Sequence, residues 1–217
     1  MKSIPVLLAA CLLLAVPAFA ENDHEAIEQL IVSERLYRVS HRNNELAECY
    51  ADDAKITTSW QSGGRSSFVG HTAAEAAGQS FNVNRCGGAL IHQNGTRAFV
   101  EYPSTTVRMV TVNGEEAVLT TYMRLLYRVE KRASAWKIVE LSTLAEADQL
   151  RPVIPGTDLH IDPAEVKRLR VSHRWLAYVR KRAGIDFSDD MPGTDRPEDV
   201  ARLYDAAFAW LNGKEGE

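Results

Sequence analysis

Two periods of apolar residues run along this chain, and the switch between them divides it. From 24 to 41 the apolar positions recur at helical spacing: Ala26, Leu30, Ser33 and Tyr37 fall on one stripe beside Ile27 and Ile31, with Asp23 ahead of them as a cap. This predicts a helix over 24–41, and a shorter one over 44–50 with Asn43 or Asn44 as its cap. Asp52-Asp53 then turn the chain into a strand over 55–60 that Gly63-Gly64 break, and an Ala-rich segment, 72–80, reads as a helix. Beyond this the period falls to two. Strands are expected over 97–112, bent at Pro103, then over 116–130 and 135–144, with Asn113-Gly114 as a two-residue hairpin turn between the first pair. Along the second strand Ala117, Leu119, Thr121, Met123, Leu125, Tyr127 and Val129 share one face, and Val118, Thr120, Tyr122, Arg124, Leu126 and Arg128 share the other. After Pro152 and Pro155-Gly156 the helical spacing returns. Asp162-Pro163-Ala164-Glu165 opens a helix expected to run to about Ala183, and Asp195 with Glu198 opens another that ends near Leu211. The class is therefore α+β: an antiparallel meander with helices on one face and a C-terminal helical appendage packed on it.

The first twenty residues fit neither period. Lys2 precedes an apolar run that ends at Ala18-Phe19-Ala20, which reads as a secretory signal peptide cleaved after Ala20. Cys11 inside the run gives a lipoprotein-type site as the alternative. The expected arrangement is a leader over 1–20, a main domain over 21–155 and an extension over 156–217, in a periplasmic or secreted protein. No later run is long enough to span a membrane. The whole chain carries 25 basic and 29 acidic residues, with no basic cluster, which argues against nucleic acid as a partner. The oligomeric state is open, a homodimer included. Cys49 and Cys86 would remain after cleavage, as a disulfide or as free thiols; their spacing is not that of a zinc site.

Several local motifs add to this pattern. Leu46-Ala47-Glu48-Cys49-Tyr50-Ala51-Asp52-Asp53-Ala54 is similar to the step after the second helix in SnoaL-like proteins. Ser59-Trp60, Ser62-Gly63, Phe68-Val69, Gly95-Thr96-Arg97-Ala98 with Glu101, Trp136-Lys137-Ile138 and Asp148-Gln149-Leu150-Arg151-Pro152-Val153 resemble a bacterial scytalone-dehydratase-like subgroup. So do Arg174-Trp175-Leu176-Ala177-Tyr178, Met191-Pro192-Gly193, Leu203-Tyr204 and Trp210-Leu211. The resemblance, to the SnoaL-like or nuclear transport factor-like cone-fold superfamily, implies a curved sheet enclosing an apolar cavity under the N-terminal helices. It also implies cofactor-free lyase or dehydratase chemistry on a small apolar or cyclic molecule, run by an aspartate–histidine pair. The aspartate position aligns with His41 and the histidine position with Asn84. Asparagine is no base near neutral pH, so the pair does not carry over.

Other residues are therefore the candidates for the chemistry. His41 is a base at the cavity mouth or a solvated residue at a helix end, where the dipole favours a protonated ring. His92 is a pocket base or an edge-strand histidine. Glu101 and Arg124 form an ion pair or serve the pocket. Tyr37, Trp60, Phe68, Tyr102 and Tyr122 line the cavity or fill ordinary core. No histidine–carboxylate spacing points to a metal, and no phosphate loop or nucleophile elbow to a cofactor or covalent intermediate. A binding module that performs no chemistry is the other functional reading.

Overall fold

The computed structural model describes residues 22–75, 82–185, 187 and 189–214. The expected leader and its cleavage site lie outside these residues, as does the end of the helix expected over 72–80. The described elements are α1 (Asp23–Val39), α2 (Asn43–Cys49), β1 (Tyr50–Thr57), β2 (Ser62–Gly64), α3 (Arg65–Glu75), β3 (Asn82–Cys86), β4 (Leu90–Asn94), β5 (Arg97–Val112), β6 (Glu115–Arg132), β7 (Ala135–Pro152), α4 (Pro163–Lys167), α5 (Arg174–Arg182) and α6 (Pro197–Leu211).

All seven strands join one curved, open sheet in the order β2-β1-β7-β6-β5-β3, with β4 also on β5. The three long strands form the expected meander. Asn113 and Gly114 both take positive φ, 52° and 92°, the backbone of a tight hairpin turn between β5 and β6. Register shifts between Tyr122 and Met123 and between Arg128 and Val129 mark bulges that bend the sheet. Pro103 lacks an N–H, and the edge partner of β5 changes there: β4 pairs with 97–101 and β3 with 104–108. β1 reaches the sheet by a long crossover and runs parallel to β7, with Ile56 opposite Leu141.

Helices cover both faces of the meander, where the sequence led us to expect one. On the inner face, α1 to α3 seal a core of Ile27, Ile31, Leu46, Tyr50, Ile56 and Phe68 against Val100, Leu125, Tyr127, Val129, Ile138 and Leu141. Farther along that face, α4 and α5 bring Val166, Leu176 and Tyr178 onto Val112, Ala117 and Leu119, a second core. On the outer face, α6 lays Ala207, Trp210 and Leu211 over Phe99, Leu126 and Leu144. The single helix expected from 162 to 183 is in fact two, α4 and α5. The break between them is held by Arg170, whose guanidinium donates to Asp195 at 3.2 and 2.7 Å and to the carbonyls of Asp189 and Met191.

Polar side chains fasten the tail to the sheet. The Asn113 amide donates to the carbonyls of Leu159 and His160, both at 2.9 Å. Asp148 accepts from the Leu176 N–H at the start of α5, at 2.7 Å. At the C-terminal end of α6, Arg97 donates to the Trp210 carbonyl at 2.7 Å and Asn94 to that of Leu211 at 3.2 Å.

Cys49 and Cys86 are both free thiols. The Cys49 thiol donates to the Glu45 carbonyl, and burial pushes its pKa up to about 12. Cys86 is less buried, and its thiol donates to Asn84 Oδ1 at 3.1 Å. In protein lacking the first twenty residues, a thiol reagent at neutral pH should label Cys86 first, leave Cys49 untouched until unfolding, and count two thiols in denaturant. No reactive thiol in non-reducing denaturant would instead show a bridge.

Candidate functional site

The inner face of the sheet is longer than the N-terminal helices that cover it. Between their core and that of α4 and α5, a strip crossing β5, β6 and β7 is left without a helix above it. A cavity of about 90 Å³ lies there. Its floor is Ser104, Thr106 and Arg108 from β5, Thr121, Met123 and Leu125 from β6, and Thr143 from β7. Asn82 and Asn84 of β3 form one wall, and Arg35, Arg38 and Val39 of α1 form another with His41. Thr58, Ser59 and Trp60, from the turn after β1, complete the lining.

The inward stripe of α1 makes this wall. Ile27 and Ile31 are fully buried, and one turn on the same stripe continues as Glu34 and Arg35. Glu34 is wholly buried and accepts hydrogen bonds from the hydroxyls of Tyr50 at 2.9 Å and Tyr127 at 2.8 Å. Burial, and next the adjacent Glu34 carboxylate, raise both hydroxyls well above the usual phenol range, so both remain donors. Glu34 also lies 3.9 Å from Arg35 Nη1 and 3.5 Å from Arg38 Nε. Burial opposes the charge on Arg35, but Glu34 and the other groups around it together more than offset this, and its pKa is raised. Arg38 lies over the Phe68 ring, which in turn stacks on Trp60 at 5.4 Å.

The Asn84 side chain is tied into a net of its own. Nδ2 donates to Ser104 Oγ at 3.0 Å and to Thr106 Oγ1 at 2.7 Å, while Oδ1 accepts the Cys86 thiol. Asn84, where the sequence resemblance implies a histidine, is thus a hydrogen-bonded amide on the cavity wall. His41 follows α1 in a left-handed conformation, φ 56°, exposed at the cavity.

The structure distributes the other candidate residues over several places. Trp60 lines the cavity. Phe68 is fully buried core behind it. Tyr37 packs at the edge of the same core, with the Arg42 guanidinium 4.6 Å from its ring centre. Tyr102 is also core; burial, with help from neighbouring Cys86, pushes its hydroxyl up to about 12. Tyr122 and Arg124, expected on the inner face, lie on the outer one. Their alternates Thr121, Met123 and Leu125 point inward, and a one-residue change of parity reverses every side chain. Tyr122 is 38% exposed and accepts from the Gln149 amide at 2.9 Å.

His92, Glu101 and Arg124 do come together, but on the outer face beneath α6. His92 Nε2 is 3.1 Å from Glu101 Oε1. The Tyr204 hydroxyl donates to Glu101 Oε2 at 2.6 Å, and Arg124 reaches Glu101 and, more closely, Glu146. The His92 ring stacks on Phe99 and meets the edge of Phe208. Burial and the bond to Glu101 push the Tyr204 hydroxyl up to about 12. The cluster fastens α6 to the sheet and has no part in the cavity lining.

Arg35, Arg38 and Arg108, the residues that set the charge of the cavity, were not singled out from the sequence. For the two on α1 a signal was present: they continue the stripe that Ile27 and Ile31 begin. Arg108 shares the inward parity of Ser104 and Thr106.

A curved sheet with helices closing its inner face around a small cavity is the architecture of a cone-fold pocket protein. The chain belongs to the SnoaL-like domain family, which matches residues 21–142. The match ends within β7, so α4, α5 and α6 lie beyond it. Among solved structures it is similar to a type 2 hexachlorocyclohexane dehydrochlorinase, at 13% identity and a TM-score of 0.50, over 65% of this chain and 93% of that one. It is also similar to a candidate scytalone dehydratase from Novosphingobium aromaticivorans, at 16% identity and a TM-score of 0.48, over 63% of this chain and 95% of that one. A ketosteroid isomerase-like protein from Erwinia carotovora atroseptica shares 13% identity at a TM-score of 0.47, over 57% and 95% of the two chains. At 13% identity the first likeness speaks to the fold alone. No curated protein matches the chain.

Proposed function

We propose that the protein is an exported small-molecule-binding member of the SnoaL-like family, which holds its ligand in the inner-face cavity without chemistry. The carrying observation is the lining itself. Among the described residues it presents three guanidiniums, amides, hydroxyls and the exposed His41 ring but no carboxylate to pair with that ring, and Asn84, where the resemblance places a histidine, is an amide tied to Ser104 and Thr106. The acid–base pair that the resemblance implies needs a carboxylate beside its imidazole, and the lining supplies none. A polar lining also moves the ligand class away from the apolar molecule expected from the family resemblance. Export rests on the leader-like first twenty residues; among the described residues no helix is long and apolar enough to cross a membrane.

An NMR titration of the purified protein with a panel of small polar fragments tests this. Shifts should concentrate at Trp60, Asn84, Thr121 and Met123, and mass spectrometry should recover each fragment unchanged. His41, exposed at the cavity, favours the second reading, a lyase with His41 as its base. Turnover of a bound fragment that His41→Ala removes would establish the lyase and overturn the non-catalytic reading.

A further inference from the structure

The charge and hydrogen-bonding state of the cavity wall specify the ligand further. Arg35 is only 8% exposed, and its Nε and Nη1 are buried without a hydrogen-bond partner. Its nearest carboxylate, Glu34, already accepts two tyrosine hydroxyls and is shared with Arg38. A wall that carries guanidiniums and no carboxylate in its lining favours a ligand that brings acceptors and negative charge. The hydroxyls ask for the same kind of ligand. Ser104 and Thr106 both accept from the Asn84 amide, so each keeps its own hydrogen to donate. Arg108 adds another guanidinium to the lining, and Met123 and Leu125 supply the apolar part. The volume sets a size. A cavity of about 150 Å³ holds benzene, and this one is about 90 Å³.

Building on the binding function above, we propose that the ligand is a short-chain carboxylate of about two to four carbons. Its carboxylate faces the Arg35 and Arg108 guanidiniums and the Ser104 and Thr106 hydroxyls, and its alkyl end lies on Met123 and Leu125. The carboxylate is acceptor-only and matches a wall of donors, whereas the corresponding amide brings two hydrogens that meet donors.

Calorimetric and NMR titrations with acetate, propionate and butyrate, with their amides, and with sulfate test the proposal. At least one carboxylate should bind saturably, shift Trp60 and Thr121, weaken as salt rises, and bind at least tenfold tighter than its amide. Arg35→Gln and Arg108→Gln should each weaken it at least tenfold, and Arg132→Gln, remote from the cavity, should not change it. If circular dichroism shows Arg35→Gln unfolded, Arg108→Gln decides. Amides that bind as well as carboxylates would overturn the carboxylate proposal and leave the binding function standing. Sulfate binding without carboxylate binding would replace the proposal with an inorganic-anion site. A folded protein that binds none of these compounds, nor any fragment of the wider panel, would overturn both.

Discussion

Protein truncated after Pro155 should fail to give a soluble, cooperatively folding domain. The tail supplies one side of two of the three cores. Leu176 and Tyr178 are almost fully buried over Ala117 and Leu119 on the inner face, and Trp210 and Leu211 over Leu126 and Leu144 on the outer face. At about 1.5–3 kcal/mol for each large apolar side chain, these four alone contribute roughly 6–12 kcal/mol, against a typical net stability of about 5–15 kcal/mol. Truncation would also bare two apolar stretches of sheet, which invites association. Size-exclusion chromatography and thermal melting of the truncated and full-length proteins provide the check. A truncated protein that stays monomeric and melts at the full-length temperature would show that the tail is a tether and that its packing contributes nothing.

Replacing Glu34 with alanine should lower stability by about 3–5 kcal/mol, the range for breaking a buried ion pair at one partner. The substitution strands the Tyr50 and Tyr127 hydroxyls in a dry core and leaves Arg35 and Arg38 without their carboxylate. Each unpaired buried hydroxyl adds about 1–3 kcal/mol of desolvation, part of it recovered by relaxation. Urea unfolding of the wild type and of Glu34→Ala would measure the difference. A loss below about 1 kcal/mol, within the range of ordinary surface substitutions, would mean that the tyrosines find other partners.

Much of the framework was legible in the sequence because local chemistry determined it. The Asn113-Gly114 turn ends β5 at Val112 and opens β6 at Glu115, and the alternation along β6 sorted its side chains into the right two sets. Which set faced the cavity was not legible. α6 covers the outer face, so Phe99, Leu126 and Leu144 make that face apolar too, and alternation alone does not tell an inner face from an outer one. Tyr122 and Arg124 were expected on the cavity side through that parity, and Glu101, His92 and Arg124 find partners in Tyr204 and Phe208, some 80 to 116 residues later in the chain (204 − 124 = 80, 208 − 92 = 116). β3 and β4, five residues each, are too short for a period to show. Arg35 and Arg38 were read past because charged residues near a helix end are ordinarily solvated. Only the closure of the sheet over α1 turns them into a cavity wall.

The parallel pairing of β1 with β7 orders events in time as well as in space. Ile56 finds its neighbour Leu141 eighty-five residues later (141 − 56 = 85). Contacts of such long range form late and slow folding. During synthesis β1 therefore lacks its long-strand partner, and α1 to α3 cannot complete the core they share with Ile138 and Leu141, until the third long strand has emerged. A chain whose core closes this late in its own translation is open to capture by a route that threads unfolded polypeptide through a membrane, which is the fate its first twenty residues lead us to expect.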